Sequence, residues 1–144
     1  MQFVDLTSHI KDGVIIHLSS YERLTQVMPV SSIFAMQVPA NTEYPYVRFR
    51  DPISQPYEAS CWLGTTCRFT LDAYAEGSSL DGAGETKVLF VKSLIVEAMN
   101  SLQIQGLGIV QNEYLGSREV MVADEADRWR SMIEYNVTAT VPVA

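Results

Sequence analysis

The clearest secondary-structure signal in this sequence is Met132-Ile133-Glu134-Tyr135-Asn136-Val137-Thr138-Ala139-Thr140-Val141. From Ile133 onward, every second residue is apolar, and most residues between them are polar. Successive side chains of a strand point to opposite faces of its sheet, so this period of two predicts a strand with one buried face. A sheet built from such strands needs a covering layer on one side only.

The same period of two recurs earlier in the chain. It is carried there by Cys67, Phe69, Leu71, Ala73 and Ala75, which alternate with mostly polar residues. Weaker patterns of the same kind predict three further strands. These strands lie at residues 32–38, 46–50 and 109–115.

Two prolines follow the predicted strand at 46–50. Pro52 and Pro56 lack the N–H group that a central strand donates to its neighbour. We therefore predict an irregular link between that strand and the one that begins at Cys67.

The longest helix is predicted at residues 85–102. Its apolar residues recur at spacings of three and four and form one broad stripe, made of Val88, Val91, Leu94, Ile95, Ala98, Met99 and Leu102. Two shorter helices are predicted near the start of the chain, at residues 3–14 and 21–28. The pattern predicts one α+β domain over residues 1–144. In this two-layer sandwich, a mixed or antiparallel sheet of about four to five strands carries the long helix and the N-terminal helices on one face.

Some apolar residues of the long helix lie outside its main stripe. Leu89 and Val96 fall on a flank, and Phe90 lies almost opposite the stripe. A helix that is apolar on more than one face usually has more than one neighbour. The second neighbour is either the N-terminal helices or another subunit, and the three residues are candidates for a subunit interface.

A second interface candidate follows an acidic segment near the end of the chain. Trp129 stands there between Arg128 and Arg130. Tryptophan and arginine are enriched among the residues that carry most of the binding energy of protein interfaces. We therefore include these three residues among the interface candidates.

The charge balance argues against tight binding to nucleic acid. Ten Lys+Arg face 17 Asp+Glu, for a net charge of −7. Phosphate binding needs clustered cations. The tightest groupings, Arg48 with Arg50 and Arg128 with Arg130, look like isolated pairs in the sequence. No membrane partner is expected, because Lys92 and Glu97 interrupt the most apolar stretch, which is too short to span a bilayer.

No catalytic or metal-binding motif emerges from the sequence. The two histidines, His9 and His17, have no cysteine or carboxylate at ligand spacing, and HExxH and CxxC are both missing. A GxSxG nucleophile elbow is also missing, and the Gly82-Ala83-Gly84 segment lacks the lysine and hydroxyl residue of a phosphate-binding loop. We therefore expect no enzyme activity, no cofactor and no metal.

The order of these features resembles the tail completion, or tail terminator, family of long-tailed bacteriophages. The resemblance covers nearly the whole chain and depends on order and spacing more than on any single motif. After the helical start come the strand at Ile33-Phe34-Ala35, the Tyr44-Pro45-Tyr46-Val47-Arg48-Phe49 strand entry, the Asp51-Pro52-Ile53-Ser54 link, Gly64-Thr65 before the next strand, the long helix, and two strands around a polar loop.

The resemblance implies a structural protein of the virion tail or neck, assembled in the host cytoplasm. It implies a ring, typically hexameric, that caps the tail tube and offers a docking surface to the head. The implied partners are other copies of the chain, the tail tube protein and a head-side connector or neck protein. DNA would pass through the ring's channel without specific binding.

A channel for DNA gives the acidic balance a role, because carboxylates repel phosphate and let DNA slide. Six acidic residues in loops or at a helix start are candidates for the channel lining: Glu76, Asp81, Glu85, Asp124, Glu125 and Asp127. Two other hypotheses remain open at this point. The chain could be a head–tail connector or neck adaptor, or a small ligand-binding α+β module, which a deep pocket with converging polar groups would favour.

Overall fold

A computed structural model describes residues 3–80, 82–123 and 126–142 of the chain. The helices are α1 (Thr7–Ser19), α2 (Glu22–Thr25) and α3 (Gly84–Met99), with a short 3-10 turn at Val30–Ser32. The strands are β1 (Ile33–Ala35), β2 (Tyr46–Ala59), β3 (Trp62–Glu76), β4 (Gly108–Ala123) and β5 (Arg128–Pro142).

The strands of this described part form one mixed sheet in the order β1-β2-β3-β5-β4. β1 runs parallel to β2, and every other pair is antiparallel. The predicted α+β class, with helices packed against a sheet of about five strands, is confirmed. β4 forms one edge of the sheet, and the short β1 covers only the beginning of β2 at the other edge.

The inner face of the sheet forms the core with the helices. The alternating residues of β3 and β5 point inward as predicted, and Leu71, Ile133 and Val137 are completely buried. Phe69 stacks on Phe49, with ring centroids 4.6 Å apart, and also on Tyr135. The period of two therefore identified the buried face of both strands.

The predicted irregular link around Pro52 and Pro56 is wrong. β2 continues through both prolines to Ala59 and forms a long hairpin with β3, with one register shift between Arg50 and Ile53. Beyond Arg50, β2 pairs only with β3 among the described residues. Proline is accepted in an edge strand because its missing N–H is not needed on the open side.

The N-terminal helices are the second neighbour of α3. His17 Nε2 lies 2.7 Å from the carbonyl oxygen of Ala98, and the Tyr21 hydroxyl donates a hydrogen bond to the Glu97 carboxylate. α3 itself ends at Met99, three residues before the predicted end at Leu102. No helix in the described residues is long and apolar enough to cross a membrane.

Candidate assembly surfaces

The outer face of the sheet, called the arginine face below, carries most of the chain's positive charge. Directly paired residues on neighbouring strands share a face, so the register places Arg48 beside Asp72 and Arg118 beside Met132. The cations on this face are Arg48, Arg50, Arg68, Arg118, Arg128 and Arg130, and the carboxylates in the same rows are Asp72, Glu76, Glu113 and Glu134.

Three arginines converge on one buried carboxylate at the centre of this face. Asp72 is 0% exposed, and its Oδ2 accepts hydrogen bonds from Arg48 at 2.8 Å, from Arg50, and from Arg130 at 3.2 Å. The interpretation of Arg48 with Arg50, and of Arg130, as isolated groups is therefore wrong. The sequence does not show the cluster because its arginines lie on β2 and β5, which are far apart in the chain and flank β3 in the sheet.

Aromatic rings hold these arginines in place. The guanidinium carbons of Arg48 and Arg130 lie 5.9 Å and 5.8 Å from the centroid of the Tyr74 ring, and Tyr46 stacks on Tyr74 at 4.6 Å. Cations over aromatic faces gain electrostatic attraction from the ring. Burial raises the pKa of Tyr46 to about 12, so its phenol stays neutral beside the arginines at physiological pH.

A depression of about 490 Å³ opens on the arginine face beside the β4 edge. Arg50, Arg68 and Arg118 line it together with Glu134 and Leu115. Arg68 donates to Glu134 at 2.6 Å, whereas Arg118 forms no ion pair within the described part of the chain. Arg50 is paired with Asp72 and Asp51, so Arg118 is the one cation of the depression without an ion pair in the described chain.

Strand β4 bulges at three places, and each bulge exposes an aliphatic side chain. Between Ile109 and Gln111, between Tyr114 and Gly116, and between Met121 and Ala123, two steps along β4 match one step along β5. The extra residues are Val110, Leu115 and Val122, which are 54%, 39% and 50% exposed. Bulges blunt an edge strand against unwanted pairing and redirect its side chains.

The bulges also explain why the sequence predicted only residues 109–115 of β4. Each extra residue shifts the alternation of inward and outward side chains by one position. The period of two therefore no longer indicates a strand after Leu115.

The candidates Arg128, Trp129 and Arg130 do not form one surface. Arg128 donates to Glu76 and Arg130 to Asp72 on the arginine face, but Trp129 points to the inner face and packs against the core. The Trp129 indole N–H donates to the Asp127 carboxylate at 2.9 Å. Adjacent strand residues point to opposite faces, which separates a cluster that is contiguous in sequence.

The three candidates on α3 occupy two different sides. Leu89 and Val96 lie three and four residues from Lys92, which donates to Ser117 on β4 at 3.0 Å, so they belong to the flank near the β4 edge. Phe90 is 51% exposed and lines a groove of about 260 Å³ with Val27, Tyr44 and Pro45 on the opposite flank.

Three of the acidic candidates meet at one end of the molecule. Asp127 accepts the Gly84 N–H at 2.9 Å and so joins the β4–β5 turn to the start of α3, where Glu85 is exposed. This backbone hydrogen bond lowers the pKa of Asp127. Glu76 accepts from Arg128 at 2.6 Å in the same region. Asp81, Asp124 and Glu125 lie outside the described residues.

Of these three, only Glu85 has no structural contact to lose. Gly77 and Gly84 approach Asp127 so closely that an added Cβ on either would lie within 2.3 Å of one of its atoms. Asp127 therefore connects the β4–β5 turn to α3, and Glu76 forms an ion pair with Arg128. Changing either residue would alter structural contacts as well as charge, so a test of charge at this end has to use Glu85.

Among the described residues, no three His, Cys, Asp or Glu side chains converge as metal ligands. The described surface offers features that are common at protein interfaces. They are the aliphatic residues at the β4 bulges, the apolar groove beside Phe90 and the arginine face.

Comparisons with known proteins agree with this picture. A family model described as "Tail completion protein gp17" matches residues 12–139. A chain in the solved structure titled "Virion of native gene transfer agent (GTA) particle" has the same fold, with a TM-score of 0.70 and 14% sequence identity over 91% of this chain and 94% of that chain. No curated protein matches the sequence.

Proposed function

This chain belongs to the tail completion protein gp17 family, and on that premise we propose that it forms a ring at the end of a phage tail tube. As a member of that family it is a structural component of the virion and not an enzyme. The ring, typically of six copies, would end tube growth, offer a docking surface to the head-side connector and leave a channel for DNA.

The observation that carries the ring proposal is the β4 edge. Val110, Leu115 and Val122 expose aliphatic surface along a strand that has no outer partner in the described chain. Leu89 and Val96, on the flank of α3 near β4, extend this surface. The Phe90 groove lies on the other flank of α3. Two different surfaces on different sides of a subunit suit the head-to-tail contact that closes a ring.

We expect the purified protein, alone or with its tail tube protein, to form closed rings. The exposed aliphatic residues of the β4 edge lose contact with water when the ring closes, which favours assembly. Light scattering gives the mass of the assembly, and electron micrographs show whether it is closed and whether tube length becomes uniform. A protein that stays monomeric both with and without tube protein contradicts the proposal.

We also propose that the acidic end of the molecule faces the channel. Glu76, Glu85 and Asp127 meet there, and carboxylates along a channel would keep DNA phosphates from binding.

Rings that carry Glu85→Lys should hold duplex DNA at low salt and release it as salt rises, because each neutralised phosphate releases counterions. The protein should still fold, because Glu85 is exposed and its favourable interaction with the start of α3 contributes less than about 1 kcal/mol. Retention of DNA by the rings and DNA ejection from the phage are the measurements. Glu22→Lys makes the same charge change at an exposed position in the first turn of α2 and is the control for general charge effects. Normal ejection from phage with the Glu85→Lys ring shows that this end faces outward.

A further inference from the structure

We propose that the depression lined by Arg50, Arg68 and Arg118 receives carboxylate side chains from a second copy of this chain. The inference rests on the proposed ring and names one of the surfaces through which neighbouring subunits meet. Three observations carry it: the fixed geometry of the arginines, the separation of charge between the two faces of the sheet, and the position of the depression beside the β4 edge.

Two of the three arginines that line the depression are oriented before any partner arrives. Arg50 donates to Asp72 and Asp51, and Arg68 donates to Glu134. Arg118 has no ion pair in the described chain and is available for a further carboxylate. Planar guanidinium groups held in place lose little entropy when they bind a further carboxylate.

The charge of the chain is separated between its surfaces. The six arginines of the arginine face are opposed by its four carboxylates and by Asp51, which pairs with Arg50, for a net charge of +1. The other described residues include four cations and nine acidic residues, for a net charge of −5. Two arginine faces repel each other, whereas the arginine face of one copy attracts the acidic surface of another. Such a contact is heterologous, as ring closure requires.

A protein carboxylate fits this face better than a DNA phosphate does. Carboxylates already alternate with the arginines, and Arg68 with Glu134 and Arg128 with Glu76 show the pairing that the face selects. The same carboxylates repel the continuous row of phosphates along a DNA strand.

The location of the depression joins it to the proposed ring contact. Leu115, one of the three bulge residues of β4, lines the depression together with Arg118. A neighbouring copy that packs on the β4 edge would therefore bring its acidic side chains to Arg118 and Arg68. The apolar residues would supply the contact area, and the arginines would fix its register.

Charge reversal on this face tests the proposal. We expect Arg68→Glu and Arg118→Glu each to weaken self-association at least about tenfold, and raised salt to weaken the wild type more than either variant. The matched control is Arg23→Glu on α2. Arg23 is 60% exposed and paired with one glutamate, whereas Arg68 is 58% exposed and paired with one glutamate. The control should associate like the wild type.

Sedimentation over a wide range of concentrations gives the association constants, and thermal melting shows whether each variant is folded. If the Arg68→Glu variant fails to fold, the self-association of Arg118→Glu tests the inference by itself, because Arg118 has no ion pair in the described chain to lose. Rings that form equally well in both variants contradict this inference and leave the proposed function standing. A wild type that is monomeric at every concentration, with or without tube protein, contradicts both.

A second measurement identifies the partner carboxylate. An Arg118→Lys variant keeps the positive charge and can be coupled to a touching carboxylate by a zero-length carbodiimide cross-linker. In a mixture of ¹⁴N and ¹⁵N protein, we expect mixed-isotope cross-links from position 118 to an aspartate or glutamate. Cross-links only within one chain contradict the inference. DNA binding by the wild type that Arg68→Glu abolishes, with self-association unchanged, also contradicts it and would make the face a phosphate site.

Discussion

Replacing Asp72 with asparagine is expected to lower the free energy of unfolding by about 3 kcal/mol, because it leaves Arg48, Arg50 and Arg130 without their shared anion. Asp72 is completely buried, whereas its three arginines are 21–26% exposed. Removing one partner of a buried ionic network costs far more than the network contributes when it is intact, since the remaining charges stay partly desolvated. Chemical denaturation measures the change.

The control for Asp72→Asn is Glu134→Gln on the same face. Glu134 and Arg68 are 43% and 58% exposed, and an exposed pair contributes less than about 1 kcal/mol. Adding Arg130→Gln to Asp72→Asn should recover part of the stability, because one unpaired cation is removed. If Asp72→Asn and Glu134→Gln lower the free energy of unfolding equally, the Asp72 network is as solvated as the Arg68–Glu134 pair.

Placing aspartate at both Leu115 and Val122 should weaken ring assembly by about 30-fold or more, the equivalent of about 2 kcal/mol of binding energy. Both residues lie at bulges of β4. An aspartate at position 122 would be buried without a partner when the next subunit packs against it. An aspartate at position 115 would lie beside Arg118 and occupy the depression that we propose for the neighbour's carboxylates. Stability of the free subunit should change by less than about 0.5 kcal/mol per site, because both side chains are exposed.

Ile16 offers a matched control for this pair. It is 65% exposed on α1, in the helix layer. Ile16→Asp should assemble normally if the β4 edge is the contact surface. Tail length in electron micrographs gives a second reading, because a subunit that folds but does not close a ring should leave tubes of irregular length. Uniform tails with the β4 variant would move the contact to another surface.

Trp129 shows how the structure changes the meaning of a sequence feature. Its position between two arginines suggested an exposed interface residue, but its indole packs against the core and donates to Asp127. The alternation of side chains along β5 separates Trp129 from Arg128 and Arg130. Only the exposed part of the Trp129 indole could contact another subunit. Arg128 and Arg130 are therefore better candidates for the subunit interface than Trp129.

The sequence by itself determined the buried faces of β3, β5 and α3, but not that β2 continues through its prolines or that β4 continues beyond Leu115. The period of two identified the inward residues of β3 and β5, and the apolar stripe of α3 identified its contact with the sheet. These signals are local, because a strand or helix carries its own periodicity. The order of the elements was enough to indicate the family.

Only the tertiary structure decided which distant side chains meet. The convergence of Arg48, Arg50 and Arg130 on Asp72 depends on the register of three strands, and a shift of one residue would turn those side chains to the other face. The exposure of Val110, Leu115 and Val122 depends on bulges that β4 forms against β5. Register and bulges arise from pairing between segments far apart in the chain, so no local pattern contains them.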